Sequence, residues 1–164
     1  MLTKDQVLAA MLRECDVCVH LAGKVPQGKA DFRFTPPQRS TLELLRYLSF
    51  IGVAAARCLH EGKWDAYEAL AKEASTLDAA GFPAAMGRQK KALTETFAKI
   101  PDADFQSKHA EMPWGQRLPL GQAILELSYA CLVAYRMQLF LQAKASGNAA
   151  IGTANCWGGM DKPA

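Results

Sequence analysis

The run from Pro119 to Lys144, PLGQAILELSYACLVAYRMQLFLQAK, restricts what this chain can fold into more than any other stretch. Between Leu118 and Ala143 the only full charges are Glu126 and Arg136. A helix that is apolar around its whole circumference cannot lie on a surface; it is buried on more than one side. Its middle carries Cys131 and Tyr135, whose i, i+4 spacing puts them on one face. Arg136 and Gln138 follow directly. This helix needs several others around it, and the rest of the chain supplies them.

The first helix is expected from about Lys4 to Leu21, with Thr3 and Gln6 in capping-box spacing and Gly23 as a stop. Leu8, Met11, Cys15, Cys18 and Val19 give it an apolar stripe. After a loop to Phe34, Thr35 is read as the N-cap of a second helix, with Pro36 in the first helical position and Gln38 completing a box. It runs to about His60 and stops at Glu61-Gly62, with Leu44, Tyr47, Ile51, Ala54 and Cys58 on one face. Asp65 and Glu68 read as a box opening a short helix to about Thr76. A third long helix after Gly81-Phe82-Pro83 carries Met86, Leu93 and Phe97 inward and a polar face at Arg88 to Lys91. The segment 101–117 has no helical period and is anchored by Phe105, Met112 and Trp114. The fourth long helix is the one described first, closed by Gly147. No strand-like alternation of any length and no internal repeat is visible. The expectation is an all-α four-helix bundle in which a long connection, with a short extra helix, lets the second and third long helices run parallel, in up-down-down-up order. The bundle takes residues 1–147. The tail, 148–164, is rich in Gly and Ala but holds Cys156 and Trp157, and is expected to pack on the bundle or on a partner subunit.

At 164 residues and a net charge of +3, the chain is one domain with a sizeable core and no basic block, which argues against nucleic acid as its main partner. Arg88-Gln89-Lys90-Lys91 is read as a solvated face. No basic leader with an apolar core opens the sequence, and the run Tyr47 to Ala56 is too short to span a bilayer, so a cytoplasmic protein without membrane partners is expected. Five cysteines make an odd set. Cys15 and Cys18 form a C-x-x-C pair late in their helix, where the dipole disfavours a thiolate; they read as buried core thiols.

The run Asp31 to Ser40 (DFRFTPPQRS), leading into Leu44-Leu45-Arg46-Tyr47-Leu48, resembles the approach to the second helix of the DinB superfamily. The Trp114 segment and the following helix, ending Ala134-Tyr135-Arg136-Met137-Gln138-Leu139, resemble that family's last helix, where the usual motif is His-x-x-x-His-Arg-Gly-Gln-Leu. The resemblance spans about residues 1–147 and implies the same bundle. It also implies a divalent metal, often nickel or zinc, on three histidines, and in several members a transferase or isomerase activity using bacillithiol, mycothiol or glutathione. Anchored on Arg136, the metal-ligand positions fall on Tyr47, Cys131 and Tyr135. None is histidine, and a phenol must lose a proton of pKa about 10 before it binds a metal well. His20, His60 and His109 lie elsewhere and read as capping or surface residues.

The reading is therefore a DinB-like bundle that has lost its metal and needs no cofactor. A small-ligand pocket is expected at Tyr47, Cys131 and Tyr135, with polar support from Arg136 or Gln138. The alternative is a thiol-dependent transferase or isomerase, in which Cys131 would be the nucleophile and would want a positive charge beside it. A regulatory protein acting through protein contacts is a third reading. Whether any catalysis remains is left open. A homodimer is expected. One bundle core cannot cover both the stripe Leu120, Ile124, Leu127, Cys131, Ala134 and the further apolar set Leu125, Leu132, Val133, Leu139 and Phe140.

Overall fold

Thr3 caps the first helix as its spacing suggests: its hydroxyl accepts from the Gln6 N–H while the Gln6 side chain accepts from the Thr3 N–H. This helix, α1, spans Lys4–Ala22 in a computed structural model that describes residues 2–162. The tail's last two positions, 163 and 164, lie outside the described residues, as does Met1. The remaining elements are α2 (Thr41–Glu61), α3 (Asp65–Ala74), α4 (Phe82–Ala98), α5 (Asp102–Ser107), β1 (His109–Glu111), β2 (Arg117–Pro119) and the last long helix, α6 (Leu120–Ala145).

Cross-helix contacts fix the directions. Glu14 of α1 meets Arg136 of α6, and the Lys24 carbonyl meets Asn148 just beyond α6, so these two helices run the same way. Gln89 of α4 reaches Leu48 and Val53 of α2, and Thr96 reaches Arg57, so α2 and α4 are parallel as well. The pairs Asp16–Lys90 and Lys4–Ile100 set α1 against α4. Gly52–Ser128, Tyr47–Tyr135 and Arg39–Gln142 set α2 against α6. The order is up-down-down-up, with α3 in the long connection. One core runs through the four long helices, with Met11, Cys15, Cys18, Leu44, Leu48, Phe82, Met86, Leu93, Leu132 and Leu139 among its buried members.

Several local expectations are corrected. Helix α2 starts at Thr41, not after Thr35. Thr35-Pro36-Pro37-Gln38 is a turn closed by the Gln38 N–H on the Thr35 carbonyl, with a cis bond between the prolines. Pro36 precedes a proline and is thereby pushed out of the helical region, and a second capping box, Ser40 with Glu43, takes over. The Asp65–Glu68 box is absent: Trp64 caps α3 without a side-chain hydrogen bond. The segment 101–117, read as aperiodic, contains α5 and the first strand of a hairpin with the register His109↔Pro119 and Glu111↔Arg117. Three-residue strands are too short to leave an alternating pattern. Gln89 belongs to the core, not to a solvated face. Its amide donates 2.8 Å to the Leu48 carbonyl and accepts from the Val53 N–H at 3.2 Å.

Two glycines matter to this packing. Gly62 ends α2 with φ +72°, a left-handed conformation that suits glycine. Gly52 lets α2, α4 and α6 meet closely: a Cβ there would lie 3.1 Å from the Gln89 side chain and 3.1 Å from Leu132. Opposite it, Ser128 donates to the Gly52 carbonyl at 2.5 Å. Ser128 sits in a π-helical stretch of α6, Ile124–Tyr129. A π turn rotates every later residue relative to a straight helix, and such turns are frequent at functional sites. This one lies just before Cys131 and Tyr135.

By length and composition Leu120–Ala145 is apolar enough to cross a membrane, with a mean hydropathy of 1.3 in its most apolar window. In this fold Ser128, Arg136 and Gln142 tie it to α2, to α1 and to the chain before α2.

Candidate functional site

Tyr47, on the face of α2 that meets α6, and Tyr135 on α6 come together edge to face, with ring centroids 4.9 Å apart. Such pairs are favourable because the positive edge of one ring meets the negative face of the other. The contacts continue from Tyr47 through Phe50 and Tyr67 to Trp64, at 5.6, 5.4 and 6.5 Å, joining the pair to α3. Cys131, one turn before Tyr135, is half-buried beside the Tyr47 hydroxyl.

Over this pair lies Arg39. Its guanidinium carbon is 4.1 Å from the Tyr47 ring centroid and 5.5 Å from that of Tyr135. The residue stands immediately before the Ser40 cap of α2, and its carbonyl accepts from Gln142 of α6 at 2.9 Å. The start of α2 and the end of α6 thus fix the backbone that places the cation.

Burial pushes the Tyr47 hydroxyl well above its ordinary pKa, with Cys131 and Tyr135 adding to the effect. Burial also raises the Cys131 thiol, opposed by the Tyr47 hydroxyl and by Arg39. Both groups are protonated at neutral pH.

These properties do not fit a divalent metal. Nickel and zinc take neutral imidazole, thiolate or carboxylate ligands, whereas this site offers a protonated thiol and phenols beneath a fixed positive charge. Among the described residues no three His, Cys, Asp or Glu side chains gather into a set that could hold a metal ion. The histidines are dispersed. His20 meets Asn155 at 3.1 Å, the carbonyl of His60 accepts from Lys108, and His109 is exposed beside the Ser107 carbonyl.

Arg136 does not support this site. Consecutive helix positions point about 100° apart, and Arg136 turns from the tyrosines to α1. There it is 1% exposed and its Nε lies 3.0 Å from Oε2 of Glu14, itself 3% exposed. Its Nη1 donates to the Cys156 carbonyl at 2.7 Å, and its guanidinium stacks 4.6 Å from the Trp157 ring. Arg13 donates to the Trp157 carbonyl. The tail turn Ala154–Gly158 is thereby held on α1 and α6, with Asn155 and Cys156 buried. Gln138 is half-buried.

Two residues central to this arrangement escaped sequence reasoning. Arg39 had no visible signal within the polar run Pro36 to Ser40. Glu14 did: it is a lone carboxylate within the apolar stripe of Met11, Cys15 and Cys18.

No family model matches the sequence, and no curated protein does. Among solved structures the chain is similar to the crystal structure of a DinB-like protein, YjoA, from Bacillus subtilis. The match covers 87% of this chain and 92% of that one, with a TM-score of 0.67 and 15% sequence identity. Likeness at that identity speaks for architecture alone, and the conclusion it supports is that this chain has the DinB-like fold.

Proposed function

We propose that this chain is a metal-independent ligand-binding bundle, with a site at Tyr47, Cys131 and Tyr135 that takes a small anionic molecule. The observation that carries this reading is the Arg39 guanidinium lying over both tyrosine rings. A stacked guanidinium keeps its in-plane N–H donors free, and those donors match a carboxylate in a bidentate pair. The aromatic rings beneath offer an apolar face, and the hydroxyls of Tyr47 and Tyr135 can orient the ligand's polar end. Ligand sites commonly combine apolar walls with a few such polar groups.

The thiol-transferase reading has less support. A cysteine nucleophile needs its thiolate stabilised, and burial moves the Cys131 thiol in the opposite direction. Arg136, the positive charge nearest to it in sequence, is committed to Glu14.

The test is a titration of the labelled protein with a panel of small carboxylates, benzoate and glutathione included, followed by backbone amide shifts. Saturable shifts at Arg39, Tyr47, Cys131 and Tyr135 are expected. Loss of a charged hydrogen bond in Arg39→Gln should weaken binding by roughly tenfold or more. Binding that is unchanged in Arg39→Gln, or no saturable binding across the panel, would remove the proposal. Turnover of glutathione adducts lost in Cys131→Ser would favour the transferase instead.

A further inference from the structure

In the polar run Arg88–Lys91 on α4, every residue but the first has a partner inside the chain. Gln89 is buried against α2, Lys90 pairs with Asp16, and Lys91 meets Glu95. Arg88 is exposed and has no ion-pair partner among the described residues. It stands instead at a cleft of about 400 Å³. Helix α4 packs on α2 through Gln89, and α3 packs on α2 through Ala74 against Phe50 and Ala54. The cleft is the space left between α3 and α4. Buried Ser49 and Phe50 of α2 form its floor, Glu73 stands on the α3 side, and Asp78 lies in the turn that closes one end. None of Arg39, Tyr47, Cys131 and Tyr135 lines it.

The polar groups around this cleft are of two kinds. Glu73, like Arg88, has no ion-pair partner among the described residues. Asp78 accepts from the Gly81 N–H through Oδ1 at 2.7 Å, which leaves Oδ2. Ser49, 8% exposed, gives its one hydroxyl proton to the Arg46 carbonyl at 2.7 Å, so its oxygen can only accept from anything in the cleft. The Arg46 Nε donates to the Leu77 carbonyl at 2.8 Å and pins the closing turn to α2. The cleft thus offers a guanidinium fork from α4, and carboxylates with a hydroxyl acceptor from the other sides, above a buried ring. A simple anion would meet two carboxylates. A simple amine would leave the guanidinium unanswered. A molecule that carries both charges on an apolar body satisfies every group.

We propose that the cleft between α3 and α4 binds a free α-amino acid with an apolar side chain. Its carboxylate pairs with the Arg88 guanidinium, which suits bidentate recognition. Its ammonium donates to Glu73, Asp78 and the Ser49 hydroxyl oxygen, and its side chain lies on Phe50. The volume falls within the range of small-molecule sites.

Titration of the labelled full-length chain with L-phenylalanine and L-leucine, read by backbone amide shifts, tests this. Hydrocinnamate, which lacks the ammonium, and phenethylamine, which lacks the carboxylate, are titrated alongside. Saturable shifts at Ser49, Phe50, Glu73 and Arg88 are expected with the amino acids, and binding weaker by roughly tenfold or more with either half-molecule. Arg88→Gln and Glu73→Gln, both changes at exposed positions, should each weaken amino-acid binding by roughly tenfold or more, with an unaltered helical circular dichroism spectrum. Arg39→Gln should leave it unchanged, which separates this cleft from the site on the α2–α6 side. Absence of saturable shifts in the cleft with both amino acids, or binding indifferent to Arg88→Gln, would overturn the proposal. Phenethylamine bound as tightly as phenylalanine would overturn the zwitterionic ligand and make the cleft a plain amine site.

Discussion

Tyr135 and Arg136 are neighbours in sequence, yet they belong to two polar regions with opposite character on either side of α6. On the α1 side, Arg136 is fully enclosed, and carboxylate, carbonyl and ring each take part of its guanidinium. On the α2 side, Tyr135 and Tyr47 are half-buried, Cys131 is neutral, and the arginine above them is exposed. The first region is closed on itself and ties the tail to two helices. The second presents donors to solvent over an apolar floor, the arrangement expected of a site that receives something. A motif that places the helix's one arginine next to its site residues does not tell these roles apart; only the roughly 100° between consecutive helical positions does.

Removing each arginine breaks the comparison most directly. Arg136→Met leaves the buried Glu14 carboxylate with only the exposed Arg13, 3.6 Å away, and should cost about 3 kcal/mol in chemical denaturation. Replacing both partners, Glu14→Leu with Arg136→Met, should recover much of that loss, because the pair's own desolvation disappears with it. A loss near 1 kcal/mol for the single change would mean that the α1 side is not the structural lock described here.

Alkaline pH probes burial on both sides: burial raises Tyr47 and Cys131 on the α2 side, and the α1 side holds Cys15 and Cys18. Burial, with help from Asp16, pushes the Cys15 thiol up from 9.0 to about 12, and burial likewise raises Cys18. A folded-state pKa raised above the unfolded value favours folding only while the thiol stays protonated in both states. That stability is intact below about pH 9 and falls as pH rises towards 12. The decline should be about 1.4 kcal/mol per thiol per pH unit. Cys15→Ala with Cys18→Ala should remove the α1 share of the decline and leave the share of Tyr47 and Cys131, as read from denaturation midpoints across that range. For the same reason both thiols should react slowly with thiol reagents in the folded chain.

The smallest effects belong to the α2 side. Arg39→Gln should change stability by no more than about 1 kcal/mol, the scale of an exposed cation–π contact. Tyr135→Phe should fall within the same range, since the aromatic pair survives. A loss of several kcal/mol for either would mark this side as a second structural lock and count against a ligand site there.

Much of the architecture was legible in the chain itself. The capping box at Thr3, the stop at Gly62, the apolar circumference of α6 and the long connection at α3 all act through local chemistry. What was not legible depended on distant residues. Gln89 reads as surface until α2 presents the Leu48 carbonyl and the Val53 N–H to it. The π turn at Ile124–Tyr129 has no proline or glycine to announce it, and its visible partner is a carbonyl far away on α2. The sequence puts the start of α2 at Thr35, and the structure moves it to the Ser40–Glu43 box because the proline following Pro36 keeps that residue out of the helical region. At the candidate site, Tyr47, Cys131 and Tyr135 were found by helical spacing and family resemblance. Arg39 was not, because its place over the rings is set by a turn that holds no periodic signal.

The central claim is that a fixed cation, and no bound metal, accompanies the Tyr47–Cys131–Tyr135 cluster. The most direct test is elemental analysis of the untagged protein, as purified and after exposure to nickel and zinc followed by desalting. The account predicts well below one equivalent of either metal, unchanged in Tyr47→Phe and Cys131→Ser. About one metal per chain, lost in those variants, would contradict it.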